Sequence, residues 1–87
     1  MDSLETLTTR VQVQAIVYGI CTETATEYID LNVARFTGLV SRNHYHDILW
    51  EITANVTDNE SQWQKYQEFS QLVTTLVNEY YFSFIEE

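Results

Sequence analysis

From Asn59 to Ile85 the sequence NESQWQKYQEFSQLVTTLVNEYYFSFI contains no glycine and no proline, and its large apolar residues recur in steps of three and four. Trp63, Tyr66, Phe69, Leu72, Val73, Leu76, Val77, Tyr80 and Phe84 share one face of a helix. Glu60, Gln64, Gln67, Glu68, Gln71, Thr75, Asn78 and Glu79 fill the other. Thr57 with Glu60 three residues on supplies a capping box for its start, with Asp58 as an alternative N-cap. At 1.5 Å per residue such a helix is roughly 39 Å long. Alone in water it would be marginal, so the rest of the chain is expected to cover its apolar face.

That remainder admits two readings. In residues 2–20, Asp2 or Ser3 is placed to cap a helix whose stripe is Leu4, Leu7, Val11, Ala15 and Tyr18, with Gly19 as its end. Val11, Val13, Ala15 and Val17 also alternate with polar residues, as in a strand. Thr22 to Thr24 read as a connection. Thr24 with Glu27 forms a second capping box, opening a helix to Val40 whose apolar arc gathers Tyr28, Ile29, Val33, Phe36, Leu39 and Val40, with Leu31 off the stripe. After a polar break at Ser41–Asn43, residues 44–56 again fit both periods. A helix aligns Tyr45, Ile48, Leu49, Ile52 and Val56 and leaves Trp50 aside. A strand puts Trp50 in the core.

Turn chemistry separates the two. Hairpins favour Gly, Pro or Asn-Gly at their turns, and this chain has two glycines and no proline. The expected fold is all-α: a single domain over residues 1–87, an antiparallel bundle of about four helices with the last the longest. The alternative is three antiparallel strands packed on one long C-terminal helix.

Charge excludes several function classes. Thirteen carboxylates against four Lys and Arg give a net charge of −9, and residues 44–87 hold eight of the acids and one of the bases. Affinity for phosphate backbones comes from Lys and Arg, so direct nucleic-acid binding is opposed, as is binding to an anionic membrane. The apolar runs Ala15–Tyr18 and Tyr80–Phe82 are far too short to span a bilayer. Met-Asp-Ser-Leu-Glu is acidic where a secretory signal is basic, and the lone Cys21, read as a small core residue, forms no internal disulfide. Both point to the cytoplasm. Solubility alone would also account for the acidity.

Little in the chain spells catalysis. His44 and His46 would share a face on a strand but sit about 200° apart on a helix, where they could not hold one metal. A zinc site needs three or four ligands. No catalytic, metal or cofactor residues are assigned, and Asn55-Val56-Thr57 and Asn59-Glu60-Ser61 are chance matches to a glycosylation sequon.

Surface remains. The expected function is that of a small acidic, non-catalytic protein that binds another protein through a basic surface. A sharper version is an inhibitor or nucleic-acid mimic, by analogy with small phage-type inhibitors from viruses or mobile elements. Glu51, Glu60, Glu68 and Glu79 are expected to face the partner with Trp50 or Phe82, the aromatics left off the apolar stripes. Glu60, Glu68 and Glu79 stand about 12 and 16 Å apart along a helix, whereas phosphates carry about one charge per 3.4 Å of strand, so a mimic would need further carboxylates alongside. The alternative is a homo-oligomeric structural or regulatory adaptor, a homodimer whose second copy completes the core.

Overall fold

The computed structural model describes residues 4–85. Asp2 and Ser3, expected to cap the first helix, lie outside the described residues, as does the side chain of Phe84. The fold is all-α: α1 (Leu4–Tyr18), α2 (Thr22–Phe36), α3 (Arg42–Val56) and α4 (Glu60–Ile85), with no strand among the described residues. Of the two stretches that also matched a strand, 9–20 is helical as far as Tyr18 and 44–56 is helical throughout.

Both glycines end helices, which is why this chain needs no hairpin turns. Gly19 and Gly38 have φ of +73° and +81°, a left-handed conformation that costs glycine little. Gly19 N donates to the Ile16 carbonyl and Ile20 N to Ala15; Gly38 N donates to Arg35 and Leu39 N to Ala34. Each is a complete Schellman motif. The second stops α2 at Phe36, four residues short of the expected Val40. Leu39 therefore leaves the apolar stripe and stands 81% exposed, whereas Ile20, its counterpart after α1, is buried.

The helix starts also differ from the capping boxes. α2 begins at Thr22 with Cys21 as N-cap. Thr24, the expected cap, is instead buried inside the first turn, its hydroxyl 3.1 Å from Cys21 Sγ. Cys21 is exposed rather than a core residue, and the Thr24 hydrogen bond lowers its pKa by favouring the thiolate. α3 begins two residues early because Ser41 Oγ accepts from His44 N. α4 is capped by Asn59 rather than by Thr57 or Asp58. Asn59 Oδ1 accepts from the Ser61 amide at 2.9 Å, and Thr57 Oγ1 accepts from the Asn59 amide. A short side-chain acceptor close to the free N–H groups prevails over the more distant pairing that the spacing suggested.

α2 packs on α1, α3 and α4, and α4 packs on α1 and α2. The longest dimension, 43 Å, is close to the length of α4. Leu7, Val11 and Ala15 of α1 meet Ala25, Tyr28, Ile29 and Leu31 of α2 and Phe69, Val73, Leu76 and Val77 of α4 in one core. Leu4, expected on the α1 stripe, is exposed, and Leu31, expected off its stripe, is buried. Phe69 is the pivot. Tyr18 and Tyr28 meet its ring edge-on at centroid distances of 5.7 and 5.9 Å, which ties α1 and α2 to α4.

Polar groups fix how α3 and α4 sit against α2. Tyr28 is fully buried. Its hydroxyl lies 2.7 Å from Thr53 Oγ1 of α3, which donates in turn to the Leu49 carbonyl. Burial raises the pKa of this phenol and keeps it neutral. Asn32, also buried, donates to the Tyr28 carbonyl, and its Oδ1 accepts from Tyr45 of α3 at 3.2 Å and Thr74 of α4 at 2.8 Å. No buried side-chain polar atom of the described residues lacks a partner. Such a network specifies one arrangement of three helices.

Candidate functional site

α3 makes its close helix-to-helix packing with α2. Between α3 and α4 a cleft of about 640 Å³ remains open. Its α3 wall is His46, Leu49, Trp50 and Thr53, and its α4 wall is Trp63, Gln67, Ser70 and Gln71. Each wall repeats at helical spacing, so the cleft follows two turns of either helix. Trp50 and Trp63 close one side, with ring centroids 5.9 Å apart and planes tilted by 57°.

Local sequence explains why the indoles are at the surface. Ile52 and Thr53 are the buried residues of α3; Trp50 lies about 160° round the helix from Ile52 and one turn before Thr53 on the cleft side, 64% exposed. Trp63 precedes the buried part of α4 and is half-buried. Asp47 and Glu60, both exposed, stand three residues before Trp50 and Trp63 and so share their sides of the two helices. The cleft itself is lined by two indoles and by neutral polar groups, with no carboxylate among its lining residues.

The six residues expected at a partner surface do not form one patch. Trp50, Glu51 and Glu60 lie near the α3–α4 connection, with Glu51 on the outer face of α3. Glu68 is exposed midway along α4. Glu79 reaches across to α1, 3.7 Å from Arg10 Nη2. Phe82 is 52% exposed and about 33 Å along α4 from Glu60. There it belongs to another cluster: Phe36 stacks on Tyr81 at 4.4 Å and meets Phe82 edge-on at 6.4 Å.

Sequence reasoning missed Trp63, which its period assigned to the core, and the polar wall of His46, Gln67, Ser70 and Gln71. The signal available was that α3 is too narrow in its apolar arc to cover all of α4. His44 and His46 both lie on α3 and are exposed, and no group of three His, Cys, Asp or Glu among the described residues is placed to hold a metal. No helix of the described residues is long and apolar enough to cross a membrane.

One further surface is apolar. Val13, Ile16 and Val17 lie on the outer side of α1, with Ile16 79% and Val17 73% exposed. Val13 also borders a groove against Leu72 and Leu76 of α4.

Fold and surface together define a small acidic four-helix protein with a tryptophan-lined cleft. Comparison with protein-family models, with curated proteins and with solved structures finds no match for this chain.

Proposed function

We propose that this is a non-catalytic protein-binding module whose α3/α4 cleft grips a basic surface of another protein. The observation that carries the reading is the Trp50–Trp63 pair at a cleft, with the exposed carboxylates of Asp47 and Glu60 each three residues before an indole in sequence. Trp and Arg are the residues most enriched at binding hot spots, and an indole face attracts guanidinium or ammonium groups. The −7 carried by residues 44–87 steers such a partner over distances limited by screening, about 8 Å at physiological salt. An inhibitor that occupies a basic nucleic-acid-binding groove is the sharper form of the same reading.

The test is kinetic. Immobilised chain captures its partner from an extract of the native host, and the purified partner is then titrated against wild type and Glu60→Lys/Glu68→Lys. The charge-reversed protein is expected to associate at least about tenfold more slowly at low salt, with a flatter salt dependence. Its thermal stability should change little, because exposed carboxylates contribute little to folding. An unchanged association rate would leave the acidity to solubility and sink the proposal.

A homodimer is the second reading, and the outer face of α1 favours it. Between Thr6 and Tyr18 the chain carries no carboxylate and one base, Arg10, in a molecule otherwise strongly acidic. A second copy could cover Val13, Ile16 and Val17 without bringing carboxylates of α1 together. Light scattering across salt separates the two readings by sign. Self-association through a neutral face strengthens as salt screens the repulsion between two acidic copies, whereas capture of a basic partner weakens. Ile16→Glu should leave a folded monomer. A wild-type chain that remains monomeric from low to high salt removes this reading.

A further inference from the structure

The second cleft of the molecule has the opposite electrostatic character to the first. It measures about 480 Å³ and lies where α2 ends, α3 begins and the later part of α4 passes. Arg35 comes from the last turn of α2 and Arg42 from the first turn of α3. His46 lies one turn beyond Arg42 on the same face of α3, and Thr74 and Asn78, also one turn apart, come from α4. Asn32 and Tyr45 form the back wall, where their hydrogen bond at 3.2 Å and that of Thr74 to Asn32 at 2.8 Å hold the three helices together.

The lining is unusual for this chain. It contains no carboxylate, although the protein has thirteen, and it gathers two of the four Lys and Arg side chains and one of the two histidines. Neither Arg35 nor Arg42 has an ion-pair partner among the described residues. Two guanidiniums in an acidic protein would ordinarily find carboxylates. Here the Gly38 turn, which brings the end of α2 against the start of α3, points both at one cavity instead. Two guanidiniums, an imidazole and the Asn78 amide reach it from three helices, while the hydroxyls of Tyr45 and Thr74 donate to Asn32 Oδ1 and brace the wall behind them. Donors converging from several directions suit a tetrahedral oxyanion, which Arg binds with paired N–H groups. The volume falls in the range of small-molecule sites, about 300–1,000 Å³, and Phe36 supplies an apolar lip.

We infer that the Arg35–Arg42–His46 cleft is a binding site for a phosphate-type oxyanion, either free or carried as the monoester of a small molecule. The site adjoins the tryptophan cleft but shares only His46 with it, and the role of His46 here is as one donor among several. The long-range field of an acidic protein opposes anions, so affinity must come from short-range contacts with the two guanidiniums. Selectivity for a tetrahedral dianion over chloride follows from that.

The test uses the full chain with inorganic phosphate, O-phosphoserine and adenosine monophosphate as probes, and with sodium chloride at matched ionic strength as control. Ligand at about ten times its Kd is expected to raise Tm by roughly 6 °C, with amide shifts in nuclear magnetic resonance spectra centred on Arg42, His46 and Asn78. Arg42→Gln and Arg35→Gln, both exposed and remote from the core, should keep the fold by circular dichroism and weaken binding at least about tenfold each. A monoester that binds more tightly than phosphate identifies the small-molecule source, and equal affinity identifies the free anion. Absence of any shift beyond the chloride control overturns the inference, as does binding that survives both arginine substitutions. None of these outcomes depends on capture of a protein partner.

Discussion

Phe69→Ala is expected to lower stability by about 3–5 kcal/mol, the range for losing a large buried aromatic. The ring is fully buried and is the contact through which α1 and α2 meet α4, with Tyr18 and Tyr28 edge-on at 5.7 and 5.9 Å. Alanine would leave a cavity among three helices and remove both aromatic pairs. For a domain whose whole stability is on the order of 5–10 kcal/mol, that is a large share, and Tm should fall by roughly 20 °C. Urea and thermal unfolding followed by circular dichroism give the number. A cost below about 1 kcal/mol would mean that the helices are held by some other set of contacts, and the central place given to Phe69 would be wrong.

Trp50→Ala is expected to have the largest effect on partner binding. At 64% exposure the side chain contributes little to folding, so the variant should melt within a few degrees of wild type. In the complex the indole would be buried against the partner beside Trp63. Loss of such an anchor costs about 2 kcal/mol or more, which corresponds to at least about thirtyfold faster dissociation with little change in the association rate. Phe82→Ala, at the far end of α4, should leave both rates unchanged. This reverses the sequence-based expectation that either aromatic would serve. Equal effects of the two substitutions would show that the cleft is not the gripping element.

The architecture was legible in the sequence because several independent signals agreed. The three- and four-residue spacing over α4, the scarcity of turn residues and the polar breaks all pointed to helices, and Gly19 marked the end of α1. Boundaries were less legible. Thr24–Glu27 and Thr57–Glu60 match a capping box, but a match does not say which nearby acceptor reaches the free amides: Asn59 does so for α4, as Ser41 does for α3, while α2 starts from Cys21 with no side-chain cap. Leu39 was misplaced for a related reason: periodicity continues through Gly38, whereas the backbone reverses there.

The exposed aromatics of the candidate site were legible as an omission. Trp50 and Phe82 fell off the apolar stripes of the helical reading, and both are at the surface. That Trp50 on α3 and Phe82 on α4 belong to separate surface clusters was not visible, because spacing places residues on one helix and cannot say which helices adjoin. Trp63 fitted the apolar period of α4, yet α3 docks on α2 and leaves that part of α4 open. The pairing of Arg35 with Arg42 in one cavity is likewise a product of the α2–α3 turn, since the two are seven residues apart on different helices.

Hydrogen–deuterium exchange of the chain alone and with its captured partner tests the central claim most directly. The account predicts that binding slows exchange in two segments, residues 46–56 of α3 and 60–71 of α4, which form the two walls of the tryptophan cleft. The outer turns of α1 should be unaffected. Protection confined to α1, or centred on the Phe36–Tyr81–Phe82 cluster with 46–56 unchanged, would contradict it.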